Sequence, residues 1–152
     1  MQKPPNVDCG VEISNCGMQE SPNVECELWI GTSTMNREDL EKRTKEFALQ
    51  IIRFVSALAK NKVNNVLGYQ LLKSGTSIGA NHREAGRAES RADFIHKIAI
   101  AEKEAAETEY WLELFKEEGI GDADKLHWLT KESQELLAIL TASGRTAKEK
   151  QR

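Results

Sequence analysis

Glu84, Glu104 and Glu107 are the residues whose type and spacing come nearest to chemistry in this sequence. Carboxylates drawn together on adjoining helices can share a proton or hold a cation. Glu84 ends a polar series, Gln70, Ser74, Ser77, Asn81 and Glu84, that advances by steps of four and three. Lys97, Glu104 and Glu107 form a second series, aligned with Ile100, Trp111 and Leu114. One reading is a small-molecule or metal-dependent activity at Glu84, Glu104 and Glu107. The other makes Ser77, Asn81, Glu84, Glu104, Glu107 and Trp111 a structural polar seam that fixes register inside the bundle or between subunits, as buried polar groups do in coiled coils. The second explains more of the pattern, because each series borders an apolar stripe along its whole length.

Other constellations fail on geometry or order. Asp93 and His96, like Asp124 and His127, stand three apart, the spacing used by di-iron bundles. Both pairs fall at helix starts, and antiparallel neighbours put those starts about 30 Å apart at a rise of roughly 1.5 Å per residue. Acids in a first helical turn are explained by the helix dipole. Between Gly68 and Ser77 a lysine precedes the glycine, so the phosphate-loop order is missing. Cys9, Cys16 and Cys26 all precede the periodic region, which leaves no cysteine nucleophile there. No catalytic residue, metal ligand or cofactor is assigned. Arg83, Arg87 and Arg91 advance by fours and are expected to share a face at the end of the second helix, where they could meet acids of the third helix or nucleic-acid phosphates.

The elements that must position these residues are legible. Leu40, Thr44, Phe47, Ile51, Phe54 and Leu58 predict a helix over 37–60. After the turn at residues 61–65, Leu67, Leu71, Ser74, Ile78 and Ala85 predict a second over 66–87. Gly75 and Gly79 interrupt it, each costing about 1 kcal/mol against Ala, which implies a closely approaching neighbour. Ser90 to Asp93 reads as a capping box before a third helix that carries Phe94, Ile98, Ala101, Ala105, Thr108, Leu112 and Phe115 and ends before Gly119. Asp122 caps a fourth helix over 123–142, with Leu126, Leu129, Ser133, Leu136 and Leu140 inward. Four such helices joined by short turns pack as an all-α, antiparallel up-down-up-down four-helix bundle.

Residues 1–35 hold all three prolines and read as a disordered or loosely docked leader, 36–142 as the bundle and 143–152 as a flexible tail. Met35, directly before the cap Asn36, reads as an alternative start; otherwise the leader is a docking arm using Trp29 and Ile30. An odd cysteine number without paired spacing fits a reducing, cytoplasmic setting. No stretch approaches the roughly 20 apolar residues of a membrane span. Net charge is -3, but it is segregated: residues 37–91 carry 11 basic and 6 acidic side chains, residues 92–135 carry 5 and 12. A basic half beside an acidic half suits helix-to-helix or subunit-to-subunit pairing.

Phe47-Ala48, Ser77-Ile78-x-x-Asn81-x-x-Glu84, Asp93-Phe94 and Glu104-x-x-Glu107-x-x-x-Trp111-Leu112 together resemble the four-helix-bundle proteins encoded within bacterial 23S ribosomal RNA intervening sequences. The resemblance spans roughly Leu40 to Leu140. It implies a cytoplasmic, non-enzymatic bundle assembled as a ring-like homopentamer. That family is similar in fold to the accessory protein of diversity-generating retroelements, a basic pentamer that binds nucleic acid and partners a reverse transcriptase. Here residues 37–152 carry 20 basic and 19 acidic side chains, so that strongly basic character is missing. The expected role is binding or scaffolding, the expected partners further copies of the chain and RNA or a nucleic-acid-processing protein.

Overall fold

The computed structural model describes residues 28–30 and 33–149. Four helices make up the body: α1 (Arg37–Ser56), α2 (Lys62–Ala85), α3 (Arg91–Glu117) and α4 (Ala123–Glu149). A short polar side chain closes the first turn of each. Asn36 Oδ1 accepts from the Asp39 N–H at 2.9 Å, Asn61 Oδ1 from Asn64 at 2.8 Å, Ser90 Oγ from Asp93 at 3.1 Å and Asp122 Oδ1 from Lys125 at 2.9 Å. Each such cap satisfies an otherwise orphaned donor and contributes about 1 kcal/mol. α3 stops in a paired C-terminal turn: the Gly119 N–H bonds Lys116 O at 3.3 Å and the Ile120 N–H bonds Phe115 O at 2.9 Å.

Every helix packs on its sequential neighbour, and α4 returns to α1 to close the bundle. The core is the inward stripe of all four: Phe47, Ile51 and Phe54 of α1, Leu71 and Ile78 of α2, Ile98, Leu112 and Phe115 of α3, Leu129, Leu136 and Leu140 of α4. Phe54 and Phe115 meet edge to face at 5.4 Å. The close approach expected at Gly75 and Gly79 is present. A Cβ on Gly79 would lie 3.3 Å from Thr44 Cβ, and one on Gly75 3.0 Å from Ile51 Cγ1. Across the α1–α4 seam, Arg43 grips Glu132 with two nitrogens, Nε to Oε1 at 2.5 Å and Nη2 to Oε2 at 2.8 Å, and also reaches Glu135.

Several boundaries differ from the sequence reading. α1 ends at Ser56, because the Ala57 and Leu58 N–H groups turn to the carbonyls three residues back, Phe54 and Val55. α2 starts at Lys62, since Asn61 is the cap and Asn64 Nδ2 bonds Ala59 O at 2.8 Å across the turn. The expected tail is wrong through Glu149: α4 continues, with Ser143, Gly144 and Ala147 buried. Their small side chains let that end lie close to α3, where Arg91 Nε donates to Ala147 O at 3.2 Å. Most of the leader lies outside the described residues. Where it is described, Leu28–Ile30 (β1) and Ser33–Met35 (β2) pair antiparallel, Leu28 opposite Met35, and β1 runs beside α4. The Leu-Trp-Ile run suits a strand.

Candidate functional site

The two polar series lie on the side of α2 and α3 where these helices pack together, at the margin of the core. Ser74 is buried, Ser77, Asn81, Glu104, Glu107 and Trp111 are half-buried, and Glu84 is exposed. The hydrogen bonds mostly run along each helix. Ser74 Oγ donates to Gln70 O at 3.1 Å, Ser77 Oγ to Lys73 O at 2.7 Å and Asn81 Nδ2 to Ser77 O at 2.9 Å. On α3, Thr108 Oγ1 donates to Glu104 O at 2.7 Å and Trp111 Nε1 to Glu107 Oε1 at 3.1 Å. Hydroxyls bonded one turn back on their own helix fix no register between helices. Within one chain, the hydrogen-bonded interhelical layer expected at these positions is therefore reduced to Lys97 Nζ and Glu84 Oε2, 2.5 Å apart.

That ion pair also separates the three carboxylates. Glu84 turns to Lys97, while Glu104 and Glu107 stand one turn apart on α3. Among the described residues no group of three or more His, Cys, Asp and Glu side chains could hold a metal ion. The convergent acidic trio is thus a correction to the sequence reading: shared stripes bring residues to one face, but the nearest cation decides where each carboxylate points. His96 and His127 are both exposed.

Glu104 is the anomaly of this face. Its Oε2 is withdrawn from solvent and has no hydrogen-bond partner. Burial raises its pKa above the ordinary carboxylate value, the negative charge of Glu107 raises it further, and Lys73 of α2 opposes both. Sequence reasoning passed over Lys73 as a member of this face, although it lies four residues before Ser77 and three after Gln70. Tyr110, exposed beside Trp111, packs against it with ring centroids 5.0 Å apart. Among the described residues Glu104 is the carboxyl left buried without a partner, on the same helix as half-buried Trp111 and exposed Tyr110.

The three arginines do not share a helix face. α2 ends at Ala85 and Gly86 caps it, so Arg87 lies in the turn and Arg91 is the first residue of α3. A four-residue step aligns side chains only along an unbroken helix. Arg83 Nε lies 3.9 Å from Glu41 Oε2, Arg91 bonds Ala147 O, and Arg87 is exposed. His82 was overlooked on the core stripe, four residues after Ile78. It is only 7% exposed, its Nδ1 has no partner, and burial lowers its pKa. No helix among the described residues is long and apolar enough to cross a membrane.

No curated protein matches the chain. A crystal structure of a protein with unknown function from the S23 ribosomal protein family of Bacteroides thetaiotaomicron VPI-5482 is 41% identical, with a TM-score of 0.65, over 72% of this chain and 97% of that one. The 23S rRNA-intervening sequence protein family matches residues 38–142. Since that match runs from the first turn of α1 well into α4, the chain belongs to the 23S rRNA-intervening sequence protein family.

Proposed function

We propose that the protein is a non-enzymatic, cytoplasmic binding or scaffold module that associates with copies of itself along the polar face of α2 and α3, as a ring-like homopentamer. The observation that carries this reading is Glu104 Oε2, buried and unpartnered in its own chain. Leaving a buried acceptor unpaired costs about 1–3 kcal/mol, a cost a second chain can remove by supplying a donor. Charge supports the same partner. The stretch containing α1 and α2 is net basic and the stretch containing α3 is net acidic, so the two helices of this face can meet their opposites on another copy. RNA or a nucleic-acid-processing protein is the proposed partner of the assembly, engaged by the exposed cations Arg83 and Arg87 near the α2–α3 turn.

Light scattering at micromolar concentration tests self-association. The wild type should exceed the monomer mass, and Trp111→Glu should fall to it while circular dichroism keeps its helix content. A monomeric wild type would end this reading. For RNA, replacing Arg83 and Arg87 by Glu should abolish retention on immobilised RNA at low salt, because each phosphate contact adds to the salt-dependent affinity. Unchanged retention would remove that end of the molecule from the interaction.

A further inference from the structure

On α2 the stripe that faces solvent carries an unusual mixture. Lys62, Val66, Tyr69, Lys73 and Ala80 recur at helical steps and are all exposed, Val66 at 55% and Tyr69 at 65%. Acids are missing around them. Residues 47–83 contain no Asp or Glu, although the chain holds 24, yet they carry Arg53, Lys60, Lys62, Lys73 and Arg83. Arg53 pairs with Glu46 and Arg83 approaches Glu41, both acids lying before that run, whereas Lys60, Lys62 and Lys73 enter no ion pair among the described residues. At the foot of the stripe the α1–α2 and α3–α4 turns bound an open hollow of about 810 Å³, whose wall includes Leu58, Asn61, Lys62, Asn64 and Ile120 and holds no acid. Asn61 commits its side-chain oxygen to the helix cap and keeps its amide N–H groups free to donate.

We propose that this surface binds single-stranded RNA, an inference that rests on the RNA-binding reading above and adds a base-stacking contact to the cations Arg83 and Arg87. Lysines without counter-ions attract a phosphate backbone and release its own. An exposed tyrosine offers a face on which any unpaired base can stack, and Val66, one turn before it, extends the apolar ledge. Unpaired bases present their edges as well, so a base entering the hollow can accept from the Asn61 amide. Lys62 and Tyr69 are about 10 Å apart along the helix axis and Arg83 is about 20 Å beyond, at roughly 1.5 Å per residue, so one extended strand can follow α2 past all three. Two rivals explain less. A duplex keeps its bases stacked inside, leaving Tyr69 without a partner, and an acidic peptide would match the lysines but not the aromatic face. With the chain at net -3, attraction is local to this run, so few phosphates are engaged.

Fluorescence anisotropy of a short labelled oligouridylate with the full chain at low salt tests this. Tyr69→Ala should weaken binding by at least about fivefold, and Tyr69→Phe, which keeps the ring, should not. Lys62→Gln should lower the slope of log affinity against log salt by about 0.7, the share of one single-strand phosphate. A duplex of equal length should bind more weakly than the single strand. Both residues are exposed, so circular dichroism and the mass seen by light scattering should stay at wild-type values in these variants. A wild type that holds no RNA overturns this inference together with the reading it rests on. Binding lost on replacing Arg83 and Arg87 by Glu, yet untouched by Tyr69→Ala and Lys62→Gln, overturns this inference alone. Equal affinity for the duplex, an oligoglutamate peptide that competes as well as unlabelled RNA, or a Tyr69→Ala variant whose assembly mass falls would overturn it too.

Discussion

Replacing Gly121 by alanine should destabilise the bundle far more than the same change at Gly119, two residues earlier in the same turn. Both glycines have positive φ, 61° at Gly119 and 94° at Gly121. Each alanine therefore incurs a left-handed backbone cost of about 1–2 kcal/mol, partly offset by the entropy the unfolded chain loses. The neighbourhoods differ. A Cβ on Gly119 meets nothing within 4 Å, whereas one on Gly121 would sit 2.6 Å from Cε2 and Cζ of Phe54. Phe54 cannot retreat easily, because it is 2% exposed and packed edge to face on Phe115. Forcing a methyl into such a site costs a further ~1–3 kcal/mol. Gly119→Ala should thus cost about 1 kcal/mol and Gly121→Ala about 2–4 kcal/mol, measured by urea denaturation followed by circular dichroism. In a Phe54→Ala background the excess at Gly121 should largely vanish, a coupling that a double-mutant cycle reads directly. Equal costs at the two glycines, or an undiminished excess without the Phe54 ring, would refute the steric argument.

Three further outcomes follow from polar side chains withdrawn from solvent, some bonded and some not. Ser133 is buried and its hydroxyl has no partner, so Ser133→Ala should be neutral or stabilise by up to about 1 kcal/mol, whereas Ser143→Ala, which loses a bond to Ile139 O, should cost about 1 kcal/mol; thermal melts compare them. Arg43→Leu strands the largely buried Glu132 carboxylate and should cost about 1–3 kcal/mol in urea denaturation, with partial recovery when Glu132 is also made Leu. Glu104 has a raised pKa in the fold, so the folded state binds its proton more tightly than the unfolded chain does. That contribution to stability is full at low pH and is lost as pH rises from the ordinary carboxylate range through the raised value. In the dissociated chain, Glu104→Gln should accordingly raise the melting temperature at neutral pH, with the advantage shrinking as the buffer is acidified. A constant advantage at every pH would assign the effect to something other than ionisation.

Much of this protein is a one-dimensional matter. Asn36, Ser90 and Asp122 cap helices wherever they precede an apolar period, because a cap bond spans only three residues. Phe47, Ile51, Leu71, Ile78, Leu112 and Leu136 are buried because a three-to-four repeat leaves a helix one apolar face to cover. Family membership is equally local, resting on residue patterns from the first turn of α1 into α4. The tail was misjudged for a related reason: Ser143, Gly144 and Ala147 are too small and polar to extend an apolar stripe on paper, yet small size is what lets α4 lie close to α3.

The site was decided in three dimensions. Periodicity put Ser77 and Asn81 on one stripe of α2 and Glu104 and Glu107 on one stripe of α3, but said nothing of which groups satisfy one another. Hydroxyls took carbonyls of their own helix, Lys97 captured Glu84, and Glu104 was left without a donor. Arg83, Arg87 and Arg91 were parted by a helix that stopped at Ala85. His82 became a buried, unbonded base only once α1, α3 and α4 had closed over it. Periodicity fixes the direction in which a side chain leaves its helix; its partner, its solvent and its proton affinity depend on which other helices arrive there, and that information exists only in the packed fold.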